Sequence, residues 1–189
     1  MTARLEELAA TGGYSSLDLA FARAVARRAD SPGDAVALAA AAVSRAAAEG
    51  HVRLDLGHLA GRPLDESAPF GARWPEPSEW LAALAASPAV GDGAPTAPLV
   101  LDPGGRLTLQ RLWQRERDLA TRLAERAADA VAAPPSDADL ARLFPAQSPA
   151  LDPDGTGVRG QREAARRAVT RRLAAIAGGP GTGKTTTAA

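Results

Sequence analysis

The sequence contains no cysteine, which excludes disulfides, thiol catalysis and cysteine-ligated zinc and fits a reducing compartment. Aromatic residues are scarce, with three tryptophans, three phenylalanines and one tyrosine in 189 residues. A core must therefore be built mostly from Leu, Val and Ala, and Trp74, Trp80 and Trp113 are expected to anchor it rather than to stack bases. No apolar run is long enough to span a bilayer. Residues 1–10 carry Arg4, Glu6 and Glu7 where a signal peptide would need unbroken apolar chain. A cytoplasmic protein with no membrane partner is expected. Net charge is also absent, because 22 acidic residues balance 22 basic ones, so bulk electrostatics advertises no nucleic acid. Lysine is nearly missing: Lys184 stands alone among 21 arginines.

Hydrophobic spacing predicts a helix over residues 15–29, with Ser15 as its cap, Asp18 in its first turn, and Leu17, Phe21, Ala24 and Val25 on one face. Ser31, Pro32 and Gly33 stop it. Asp34 can cap a second helix, with Val36, Ala40, Val43 and Ala47 inward and Gly50 ending it. Val52, Leu54 and Leu56 alternate with Arg53 and Asp55 as in a short strand. Pro63, Pro69, Pro75 and Pro77 mark irregular chain before a helix over 78–86 carrying Trp80, Leu81 and Leu84. Leu99, Leu101, Leu107 and Leu109 flank Asp102-Pro103-Gly104-Gly105, a β-hairpin pattern. Residues 1–112 thus read as a small, α-rich α+β domain, for which a winged-helix-like arrangement is one form.

From Leu112 a helical period returns, with Leu119, Leu123, Ala127 and Ala130 on one side, and it ends at Pro134-Pro135. Residues 113–160 read as this connecting helix followed by a Pro- and Gly-rich linker that holds a short helix over 137–144. Residues 161–172 are expected to be helical, and 173–177 to form a short buried strand.

That strand would feed Gly178-Gly179-Pro180-Gly181-Thr182-Gly183-Lys184-Thr185, which fills every position of the G-x-x-x-x-G-K-[ST] phosphate-binding motif. Glycines let consecutive backbone N–H groups curl toward phosphate oxygens, and a following helix adds its positive end. Lys184 can reach the β- and γ-phosphates as a compact ammonium, a task a planar guanidinium suits poorly, and the Thr185 hydroxyl can ligate Mg²⁺. A plain Gly/Pro-rich turn and a dinucleotide fingerprint both fit less well, because the lead-in is apolar and the spacing of Gly179, Gly181 and Gly183 departs from G-x-G-x-x-G. Gln161, at the expected start of the preceding helix, offers a donor and an acceptor in the geometry adenine presents.

Gln161 followed by Gly178 to Thr185 and then by Thr186-Thr187 resembles the adenine-reading glutamine and first motif of superfamily 1 helicases, and the three threonines after Gly-Pro-Gly are similar to those of RecD. Upstream landmarks follow the same order as in that family: Leu17-Asp18 with Phe21-Ala22, Ala47 to Val52, Leu107 to Trp113 with Glu116-Arg117, and Leu143-Phe144-Pro145. The resemblance implies the amino-terminal part of the α subunit of exodeoxyribonuclease V, an ATP-dependent DNA helicase moving 5′→3′ on single-stranded DNA within a complex with RecB-like and RecC-like subunits and acting in repair of broken DNA ends. It implies ATP and Mg²⁺ as cofactors, Lys184 as the catalytic cation, and an ATP site made of Gln161, Gly178, Gly179, Pro180, Gly181, Thr182, Gly183, Lys184, Thr185 and Thr186, with Thr185 toward the metal. It also makes residues 161–189 the truncated start of a RecA-like P-loop α/β domain. The Asp-Glu motif, the arginine finger and the second motor domain lie outside these residues, so this polypeptide by itself is expected to be inactive.

Two other readings compete. Residues 1 to about 112 could serve as a non-catalytic module that docks on partner subunits, and a small nucleotide kinase would also carry a phosphate loop, although such a loop should open its fold. His51 and His58, seven apart, read as surface or packing histidines rather than metal ligands. The arginines at 159, 162, 166, 167, 171 and 172 read as a solvated face, with phosphate or a partner as the alternative.

Overall fold

The computed structural model describes residues 3–29, 34–67, 70–147, 152 and 155–188. It is a mixed α+β protein that divides into two compact units, Met1–Arg117 and Asp118–Ala189.

The first unit is assembled around one alanine-rich helix. Three helices open it: α1 (Ala3–Ala10), α2 (Ser16–Arg28) and α3 (Asp34–Ala48). Every residue from Val36 to Val43 is buried, because alanine side chains let neighbours approach α3 from all sides. The one-sided pattern read from the sequence therefore understated this helix. Ser15 caps α2 in a capping box with Asp18. Gly50, at φ +91°, ends α3 in a Schellman turn in which His51 N–H donates to the Ala46 carbonyl and Gly50 N–H to that of Ala47. The expected stop at Ser31, Pro32 and Gly33 lies outside the described residues.

Strand β1 is confined to Leu54–Asp55, shorter than the alternation suggested. The Asp55 carboxylate accepts the Gly57 N–H at 2.9 Å and turns the chain into a 3-10 helix, Leu56–His58. Helix α4 (Pro77–Ala85) buries Trp80 and Leu84. Trp80 Nε1 donates to the Ala35 carbonyl at 2.9 Å, and its ring stacks on that of Trp74 with centroids 5.4 Å apart. Strands β2 (Val90–Gly91), β3 (Leu99–Leu101) and β4 (Arg106–Leu109) complete a sheet of order β1-β4-β3-β2. The expected hairpin is β3–β4, with Leu99 opposite Leu109 and Leu101 opposite Leu107. Asp102 organises its turn by accepting the N–H groups of Gly104 and Arg106. The parallel edge strand β2 and helix α1 had no sequence signal strong enough to be expected.

Helix α5 (Gln110–Ala128) begins two residues before the expected start and follows β4 without a break. In the second unit, Ser136 caps α6 (Asp137–Leu143). Helix α7 (Thr156–Thr170) starts five residues earlier than the sequence suggested and ends two earlier. The reason is a cap the composition hid: Gly155 takes a left-handed φ of +68°, and the Asp152 carboxylate accepts the N–H groups of Gly157 and Val158 at 3.1 and 3.0 Å. Residues 173–177 form no strand, and only Leu173 and Ile176 among them are half-buried. Extended chain becomes a strand only when a neighbour takes its N–H and C=O groups, and among the described residues none does. A last short helix, α8 (Lys184–Ala188), follows the glycine-rich loop.

Candidate phosphate-binding loop

The loop between residue 177 and α8 is closed around its lysine. Lys184 Nζ donates to the carbonyl oxygens of Gly178 and Gly179 at 2.9 and 2.6 Å. Thr182 Oγ1 donates to the same Gly179 carbonyl at 2.9 Å. Gly181 and Gly183 hold left-handed φ values of +77° and +73°, which a side chain would strain. A Cβ at Gly178 would come within 2.6 Å of Thr182 Oγ1. At the far end Thr187 donates both its N–H and its hydroxyl to the Gly183 carbonyl, fastening the first turn of α8.

Gln161 belongs to the same cluster, although it lies in the second turn of α7 rather than at its start. Its amide nitrogen donates to the Thr182 carbonyl at 3.4 Å and occupies the space a Cβ on Gly183 would need. Gly183 is therefore demanded twice, by its backbone conformation and by this neighbour. A groove of about 430 Å³ runs beside the loop, lined among others by Asp152, Thr156, Gln161, Gly178, Thr182 and Lys184.

The structure thus brings together Gln161, Gly178, Gly179, Thr182, Gly183 and Lys184. Pro180 and Gly181 form the exposed turn at the tip, and Thr185 and Thr186, exposed on α8, join none of these hydrogen bonds. Among the described residues no group of three His, Asp or Glu side chains gathers as a metal site. The arginines of α7, read as a solvated face, are largely committed within the unit. Arg162 donates twice to the Phe144 carbonyl, Arg166 pairs with Asp137 and Glu163, and Arg167 pairs with Glu163. The pairs with Glu163 have the i,i+3 and i,i+4 spacing of a helix, whereas nothing in the sequence announced the partners in the preceding linker, Phe144 and Asp137. The cap at Asp152 had a faint signal, since Asp152 to Gly155 repeats the Asp-Pro-x-Gly order of the hairpin turn at Asp102.

Family landmarks in the first unit have structural jobs of their own. Asp18 is buried beneath Ser15, Gly50 ends α3, and Glu116 on α5 pairs with Arg53 beside β1 at 2.7 Å. The family model for "RecBCD enzyme subunit RecD, N-terminal domain" matches residues 10–108. The chain belongs to the RecD family. It is 39% identical over 163 residues to the RecBCD enzyme subunit RecD of Mycolicibacterium smegmatis, covering 85% of this chain and 26% of the relative. Against the RecBCD enzyme subunit RecD of Mycobacterium tuberculosis it is 39% identical over 158 residues, covering 82% of this chain and 24% of the relative. The chain therefore spans about a quarter of the length of the RecD proteins it matches. Among the described residues no helix is long and apolar enough to cross a membrane.

Proposed function

We propose that this chain is the amino-terminal part of a RecD-type ATP-dependent DNA helicase subunit, and that its loop binds the phosphates of ATP. The observation that carries the reading is the hold of the Gly178 and Gly179 carbonyls on the Lys184 ammonium, with the Gln161 amide against Thr182 and Gly183 of the same loop. This donor set suits a nucleoside triphosphate: a cation already held at the loop's centre, glycines whose lack of Cβ keeps the backbone approachable, and an amide next to them. Lys184 would exchange its two carbonyl partners for phosphate oxygens, so the loop pre-positions the charge that phosphoryl transfer needs. Gln161 would read adenine, Gly178, Gly179, Pro180, Gly181, Thr182, Gly183 and Thr186 would shape the site, and Thr185 would hold Mg²⁺. When bound, Mg²⁺ neutralises charge on the β- and γ-phosphates.

Residues 161–189 would then open a RecA-like domain that gains its sheet from the remainder of the subunit, which would move on single-stranded DNA. Residues 1–112 would dock on RecB-like and RecC-like subunits of a cytoplasmic complex, with 113–160 as the connection. The buried core of the first unit favours that docking role, because it gives the partners a folded surface.

The test is Lys184→Gln in the full-length subunit. ATP hydrolysis by the purified subunit on single-stranded DNA should vanish, while co-purification with the partner subunits persists, since Lys184 lies outside the first unit's core. Retained hydrolysis would overturn the assignment of the loop, and lost assembly would overturn the separation of docking from chemistry.

A further inference from the structure

Residues 173–177 deliver the chain to the phosphate loop, yet among the described residues they pair with no strand. The start of this segment is held by a short antiparallel bridge between Ala130 and Arg171. Val131 N–H donates to the Thr170 carbonyl at 3.0 Å, and Arg172 N–H to the Asp129 carbonyl at 3.1 Å. Two side chains reinforce it. Arg171 Nη1 donates to the carbonyl of Ala128, the last residue of α5, at 2.6 Å, where an orphan carbonyl and the negative helix end favour a cation. Arg172 Nε donates to Asp129 Oδ2 at 2.6 Å.

We propose that Asp129 is a positioning residue for ATP turnover: with Arg171 and Arg172 it anchors to the end of α5 the segment that presents the phosphate loop. The inference rests on the reading of that loop as an ATP site. Between the anchor and Gly178 lie Leu173-Ala174-Ala175-Ile176-Ala177, with no glycine or proline to absorb a displacement. Extended, that segment spans at most roughly 17 Å, so a slip at Arg172 reaches Gly178 and Gly179, whose carbonyls hold Lys184. A displaced loop meets the phosphates less well in ground state and transition state alike, which raises KM and leaves kcat nearly unchanged.

Steady-state ATP hydrolysis by the purified full-length subunit on single-stranded DNA tests this at low salt. Asp129→Asn, Asp129→Arg and Arg172→Asp should each raise KM for ATP by roughly two- to fivefold, the range expected for a partly exposed ion pair, with kcat held within about twofold. Asp129→Arg combined with Arg172→Asp should return KM toward the parent value, which a loss of general stability would not do. Single variants with the parent KM, or a swap no better than its worse single, would overturn the proposal. If Asp129→Arg fails to fold, Asp129→Asn keeps the volume and decides the matter in the same way: a raised KM supports the anchor and the parent KM defeats it. Lys184→Gln separates the two claims: turnover surviving in that variant defeats the phosphate-loop reading, whereas an inactive Lys184→Gln beside Asp129 variants of parent KM defeats the anchor alone.

Discussion

Gly93 lies directly against the indole of Trp113, and at φ +116° its backbone leaves no room for a side chain, because a Cβ there would overlap the ring. On the same tryptophan the Arg117 guanidinium rests 4.8 Å from the ring centre. The first turns of α5 are thereby layered onto the loop after β2. Gly93→Ala should lower the stability of the chain by about 2–4 kcal/mol, combining backbone strain with displacement of the ring. Denaturant unfolding followed by tryptophan fluorescence measures it, and an unchanged midpoint would show that the loop simply moves aside.

Asp18 predicts a pH dependence. Burial pushes its carboxyl up, but hydrogen bonds from Ser15 and Ser44 and the charge of Arg45 outweigh it and hold the group below the usual Asp value. A carboxyl with a depressed folded pKa stabilises the protein above its unfolded pKa, near 4, and the benefit is lost as pH falls through the folded value. Asp18→Asn should therefore cost about 1–2 kcal/mol at pH 7, with the gap narrowing below about pH 4. A gap that stays constant from pH 7 to pH 3 would contradict a charge-based role.

Trp80→Phe keeps most of the buried ring but removes the donor to the Ala35 carbonyl. A loss of about 1–2 kcal/mol is expected, the cost of one part-buried hydrogen bond and a slightly smaller ring. Thermal unfolding of the variant checks it, and stability equal to the parent would mean that water replaces the indole N–H.

The two units should differ in resistance to proteolysis. In the second, only Leu140 and Val158 are buried among the described residues, while the first holds the remaining core. Subtilisin should trim the 189-residue chain from its carboxyl side into residues 134–160 and leave a stable species containing residues 1–112, read by mass spectrometry. A protected species that keeps 178–185 and loses the first unit would reverse this ranking. The same polypeptide should show no ATP hydrolysis above background in a coupled assay, since among the described residues no strand pairs with the segment that leads into its loop.

Local signals were the legible ones. Ser15 with Asp18, Gly50, and Asp102 with Gly105 act through partners within about five residues, so the sequence pattern and the structure agree on the cap of α2, the end of α3 and the β3–β4 hairpin, whereas the inward face of α2 is Asp18, Ala22 and Val25, with the expected Leu17 and Ala24 exposed. Helix α3 was legible as a helix but not as the centre of the core, because alanine at every face carries no period. The site followed the same division: the motif from Gly178 to Thr185 is a contiguous string, whereas the placement of Gln161 on Gly183 is a tertiary fact.

By itself, the sequence determined helices at α2, α3, α4 and α6, where the hairpin turns, and that a lone lysine ends a glycine-rich loop, because each depends on backbone preferences and neighbours close along the chain. Tertiary structure alone decided that Trp113 packs on Gly93, that Arg53 meets Glu116, that Arg172 meets Asp129, and that residues 173–177 pair with no strand among the described residues. These depend on groups far apart in the chain, whose pairing is chosen by how the elements pack rather than by residue type. An arginine-rich helix looks the same whether its charges face water, phosphate or, as here, a carbonyl and a carboxylate of the preceding linker and Glu163 on the helix itself.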